Sequence, residues 1–157
     1  MTICYSNALP KLEFSNASKG AFMIQKYLVS FCIFLYAIAV PFLEINATHV
    51  FNPDWTPHVR IHEVWQLITN SSLGLLCLWL VWFKKQVTLG SLISLLVVVG
   101  FLIAFIMQDL YGGSMKYLDG SEKTLFGINI GVVGFGLAFS LLLLSIYLEK
   151  MKKKVGS

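Results

Sequence analysis

Histidine is the side chain whose ordinary proton affinity lies nearest neutrality, and all three histidines of this chain fall between His49 and His62. They share the stretch 44–66 with Glu44, Asp54 and Glu63, with Trp55 and Trp65, and with the breakers Asn52-Pro53 and Thr56-Pro57. His58, His62, Gln66 and Asn70 recur every four residues, the spacing of one helical stripe, and Thr69 lies beside it. His58 and His62 at i, i+4 have the spacing that lets two imidazoles bind one ion. Glu63, Asp54, His49, Glu44 or Asp109 could complete such a site, and the mixed set would suit zinc, iron or copper. The pattern is not His-Glu-x-x-His, because Glu63 follows the second histidine. A second reading needs no metal: His62, Glu63 and Asp109, held at low dielectric, could move a proton on an apolar substrate or bind an amine. In a third, Arg60, Glu63, Asp54 and the histidines only hydrogen-bond the loop and cap helices. No residue pattern names a reaction.

The elements that must position these groups follow from composition. The chain has 157 residues, 57% of them hydrophobic and 13% charged, against about 25% charged in a soluble domain. Spans are expected at about 21–43, 57–83, 87–109 and 125–148, around the four apolar runs near 21–43, 64–83, 87–107 and 125–148 in which the deficit lies. Each is close to the ~20 residues that a helix needs to cross hydrocarbon. Period-2 alternation is absent, which favours helices over a barrel. The sequence therefore predicts an all-α four-helix transmembrane bundle, up-down-up-down, with a polar tail at 1–20 and a basic tail at 150–157.

Of twelve basic residues, eight lie in the two tails and the loop after the second run and a ninth, Lys26, lies near the start of the first run; Arg60, Lys116 and Lys123 lie in the first and third loops. That split predicts both termini on the cytoplasmic side, in a plasma or inner membrane. The net charge of +4 thus reads as membrane topology, with Lys150 to Lys154 touching anionic headgroups, and not as a nucleic-acid surface. Cys4, Cys32 and Cys77 form no C-x-x-C, and the latter two read as apolar packing residues.

Thr56-Pro57 reads as a helix start, with a hydroxyl N-cap and proline at the first helical position. Pro41 reads as the end of the first helix. Residues 1–20 read as irregular, and Asp119-Gly120 as a turn. Gly127 and Gly131 form a G-x-x-x-G that, on a fourth helix, would allow close helix approach within the molecule or in a homodimer. On the second helix the stripe of His58, His62, Gln66 and Asn70 should turn away from lipid. There it would meet Glu44 and Asp109 in one pocket opening outward, with His49 and Trp65 nearby.

The run from Thr48 to His62 resembles the outer-loop pattern T-H-x-F-N-P-x-W-x-P-H-x-x-x-H of a family of small four-span membrane proteins. The resemblance implies that Thr48, His49, Asn52, Pro53, Trp55, Pro57, His58 and His62 act as a unit. In architecture the chain is also similar to the sigma-2-receptor and emopamil-binding group, whose members hold sterol-like or cationic amphiphilic ligands between two carboxylates. That similarity would set Glu63 and Asp109 beside those acids. The expected function is binding of a lipid-like or amphiphilic small molecule in the outward-facing pocket, with His58 and His62 available to a metal. The alternative is a non-catalytic subunit packing on a partner helix through its glycine-rich fourth helix.

Overall fold

The computed structural model describes residues 9–117 and 119–155; Cys4 lies outside the described residues. Helix α1 (Leu9–Phe34) runs through a π-helical turn (Leu35–Ala39) into α2 (Val40–Glu44). Then follow α3 (Pro57–Trp82), α4 (Val87–Ile106), a 3-10 turn (Gln108–Leu110), strands β1 (Thr124–Leu125) and β2 (Ile128–Asn129), and α5 (Ile130–Val155). Among the described residues four stretches are long and apolar enough to cross a membrane: Gly20–Glu44, Pro57–Trp82, Val87–Ile106 and Ile130–Lys152. The fold is the expected all-α four-helix bundle.

The helices pack in the ring order α1, α3, α4, α5; α1 also meets α4 across the ring. Val29, Cys32, Ile33, Cys77, Val81, Val98 and Leu142 make its apolar centre. Both cysteines pack there as expected. Within it, Tyr36 Oη and Ser94 Oγ share a hydrogen bond of 3.1 Å. The start of α1, the end of α5 and the α3–α4 turn lie at one end of the bundle, the tail end. The segments 45–56 and 107–129 lie at the other, the loop end.

Four expectations need correcting. From Leu9 onward the polar tail is helical and continuous with the first span. Pro10 falls in the first turn of α1, where its missing N–H would have no partner anyway. Pro41 does not end the helix, which continues to Glu44. Instead, the backbone widens just before it, with Val40 N–H reaching the Leu35 carbonyl. Gly127 is not on the fourth helix. It stands at φ +77° beside Phe126 at φ +53°, in the turn of a two-strand hairpin pairing Thr124 with Asn129 and Leu125 with Ile128. Two successive positive φ values are what a type I′ hairpin turn demands. So α5 starts at Ile130, where Asn129 Oδ1 accepts from the Gly131 N–H at 2.8 Å, and no helical G-x-x-x-G exists at 127 and 131. The fourth correction, to the direction of the histidine stripe, belongs to the site below.

Pro41 has a second consequence. It cannot donate to the Ala37 carbonyl one turn back, and hydrocarbon offers no substitute. Ser71 Oγ of α3 donates to that oxygen at 2.9 Å. The approach depends on Gly74, where any added Cβ would overlap the Ala37 Cβ.

Ser71→Ala should therefore cost about 1 kcal/mol, as interhelical hydrogen bonds in membranes do. Pro41→Ala should remove most of that cost by restoring a backbone donor. A double-mutant cycle of unfolding in detergent checks this, and strictly additive effects would contradict it.

Candidate functional site

The loop end contains two separate groups of chemistry-bearing side chains. The first is built by the segment 45–56, which folds on its own polar side chains. Asn46 Oδ1 accepts from the Thr48 N–H at 2.7 Å and from the Thr48 hydroxyl at 2.6 Å. The buried Asn52 donates from Nδ2 to the Thr48 carbonyl at 3.2 Å, and its Oδ1 accepts from the Asp54 N–H at 3.0 Å. Arg60 reaches back from α3 to the Trp55 carbonyl at 2.9 Å through Nη2. Thr56 caps α3, its hydroxyl accepting from the Val59 N–H at 3.3 Å, with Pro57 as the first residue of the helix.

This scaffold holds His49. Its Nε2 lies 2.9 Å from Glu44 Oε2 and its Nδ1 lies 2.8 Å from Thr48 Oγ1. Because the Thr48 hydroxyl gives its proton to Asn46, it accepts from His49 Nδ1. The His49 Nε2–Glu44 contact is then bridged by one proton shared between base and acid. Trp55 and Tyr117 present their rings edge-on to the imidazole at centroid distances of 5.9 and 6.5 Å. Glu63, half-buried on α3, acts electrostatically on Glu44. Lys123, whose ammonium lies 5.7 Å from the Tyr117 ring centroid, acts on His49. Burial, and then the charge of Lys123, hold the His49 proton affinity below the usual imidazole value.

The second group lies on the outer face of α3. His58 and His62 bring their Nε2 atoms to 3.1 Å with the rings edge to face. Two nitrogens bound to one tetrahedral zinc at about 2.0–2.1 Å would stand about 3.3 Å apart, so the pair has nearly a chelating geometry. Among the described residues no group of three or more His, Cys, Asp or Glu could hold a metal ion. A metal bound by this pair would therefore complete its shell with water or with groups from another molecule. Below the pair, His62, Trp65, Gln66, Thr69 and Asn70 line an open groove.

The stripe was expected to face the bundle interior, and the expectation fails. His58, His62 and Gln66 are exposed and only Asn70 is half-buried. The reason is helical phase. Four residues turn about 40° more than one full circle, so an i, i+4 row winds around its helix. Glu63, Leu67, Ser71, Gly74 and Val81 mark the bundle-facing side of α3. Measured from it, His58 is nearly opposite and each later member comes closer, until Asn70 reaches the edge.

The single expected pocket is accordingly divided. Glu44, His49 and Glu63 come together; His62, Trp65, Gln66 and Asn70 come together elsewhere. Neither Glu44 nor Asp109 lines the groove, and Asp109 is exposed in the 3-10 turn after α4. Tyr117 and Lys123 were missed. Lys123 had one signal in its favour, being among the three basic residues on the side predicted to be poor in them.

The chain matches no family model, no curated protein and no solved structure with which it was compared. The fold and its four apolar stretches define a small integral, multi-pass membrane protein.

An imidazole harder to protonate when folded gives a signed pH dependence. The unfolded chain takes up a proton near pH 6.5, and the folded loop does so only at lower pH. This contribution to stability is present above about pH 6.5 and lost as the pH falls through the lowered His49 value. The stability difference between wild type and His49→Gln, read by thermal unfolding, should shift against wild type over that interval relative to its value at pH 7.5; a difference that does not change with pH would contradict the assignment.

Proposed function

We propose that this protein binds an apolar molecule carrying a hydroxyl or amide group in the groove on the outer face of α3. One observation carries the reading: Gln66, Thr69 and Asn70 form a polar strip, beside His62 and Trp65, on a lipid-facing side of a membrane-spanning helix. From His62 to Asn70 the strip descends about 12 Å along the helix. Polar groups facing hydrocarbon are costly unless something bonds them. Carboxamides and a hydroxyl offer neutral donors and acceptors, which favours an uncharged polar head. Trp65, 64% exposed, offers an apolar wall for the body of the ligand. The ligand enters sideways from the membrane at the loop end; the basic-residue distribution supports reading that end as the non-cytoplasmic side. Glu63 and Asp109 have no place in this binding step.

The imidazole pair favours a second reading, in which a divalent transition metal sits between His58 and His62 at the mouth. The 3.1 Å nitrogen separation supports it.

A sterol or fatty alcohol bearing a diazirine, supplied in lipid nanodiscs, should label the 62–70 segment. Gln66→Leu with Asn70→Leu should lower that labelling by about fivefold or more, the loss of one or two neutral hydrogen bonds. Labelling spread evenly over all four helices, or indifferent to the double variant, would refute the binding site. For the metal, elemental analysis should find metal in wild type and none in His58→Ala/His62→Ala. Near-zero content in both would end that reading without touching the first.

A further inference from the structure

At the tail end, far from the groove, two lysines from different helices converge on one aromatic ring. Lys26 of α1 is 6% exposed. Its ammonium stands 4.9 Å from the centroid of the Phe22 ring and 4.9 Å from that of Trp82. The ammonium of Lys152, on α5, stands 4.6 Å from the same Phe22 centroid. Trp82 is held in place by donating its Nε1–H to Ser30 Oγ at 2.9 Å and by an edge contact with Tyr27 at 5.5 Å.

Ring faces attract a cation but leave its N–H donors without acceptors. Among the described residues neither lysine has a carboxylate within ion-pair distance; the ion pair found there is His49 with Glu44. Glu149, the acid nearest to Lys152 in the chain, is already engaged by Gln25. In the amide orientation that satisfies both partners, Gln25 donates to Glu149 Oε2 at 3.2 Å and accepts from the Glu149 N–H at 2.9 Å. Two like charges are thus gathered at the boundary of the span with no acid between them. Beside them, Tyr27 of α1, edge-on to the Trp82 ring, is 59% exposed, an apolar surface of the kind acyl chains cover.

We propose that Lys26 and Lys152 bind a phosphate group, and that its source is the headgroup of an anionic phospholipid in the leaflet at the tail end. The phosphate oxygens accept from both ammoniums and lower their mutual repulsion. The acyl chains lie along Tyr27. A free phosphate would satisfy the charges and leave that apolar surface unused.

The test is native mass spectrometry of delipidated full-length protein in detergent, titrated with phosphatidylglycerol, phosphatidylcholine or inorganic phosphate. One phosphatidylglycerol should bind per chain, at least about fivefold more tightly than phosphatidylcholine. Lys152→Gln and Lys26→Gln should each weaken it about fivefold, the effect of one lysine at a membrane surface. Lys116→Gln, at the loop end, should leave it unchanged. Excess inorganic phosphate should fail to displace the lipid. Should it displace the lipid and bind alone, with the same lysine dependence, the lipid source is overturned. Equal binding of the two lipids, or equal losses with Lys116→Gln, would overturn the site itself. Lys26 is buried, so circular dichroism must show that its variant folds; the exposed Lys152 decides the outcome if it does not.

Discussion

Hydrocarbon provides no hydrogen bonds, and the interior of this bundle is arranged around that lack. The sharpest instance is the carbonyl of Ala37. Pro41 deprives it of its helical partner, and Ser71 supplies another from α3. The π-helical turn, the absence of a side chain at Gly74 and the close approach of α3 to the first span belong to this one repair. Tyr36, in the same turn, finds Ser94 on α4. Polar atoms inside the ring of helices thus mostly find one another. Among the described residues the side chains of Gln66, Thr69 and Asn70, in the groove on the outer face of α3, make no such bond, and this contrast singles out the groove.

The two ends of the molecule handle charge differently. At the loop end, acid and base are brought together: Glu44 and His49 share a proton, Thr48 and Asn46 continue the chain of bonds, and Glu63 and Lys123 exert opposite charges on it. At the tail end, Lys26 and Lys152 meet over an aromatic ring while the adjacent acid is bonded elsewhere. The loop end carries an acidic excess and the tail end a basic one.

Much of the fold was legible because hydrocarbon thickness imposes a length that apolar runs must meet. The start of α3 was legible because a threonine cap followed by proline has a local mechanism, which Thr56 carries out. The Asp119-Gly120 turn was legible for the same kind of reason, with Gly120 at φ +79° and the Ser121 N–H bonded to Asp119 Oδ1. The hairpin before α5 was not. Leu125, Phe126 and Ile128 are as apolar as the helix that follows, and two residue pairs are too few for a strand period to emerge. Of the candidate site, the residue types were legible and their grouping was not.

The sequence by itself determined four spans, their order, the polar stretch at 44–66 and the alignment of His58, His62, Gln66 and Asn70 along one row of a helix. All of these depend on composition and on spacing within a single segment. Only the tertiary structure decided which way that row faces, and that His49 rather than the histidine pair meets Glu44. A helix has the same internal hydrogen bonds at any rotation about its axis. Contacts with its neighbours select one rotation: Ser71 against the Ala37 carbonyl, Gly74 against the π turn, Cys77 and Val81 in the apolar centre. Once they had done so, the winding of an i, i+4 row carried the imidazoles to the outside.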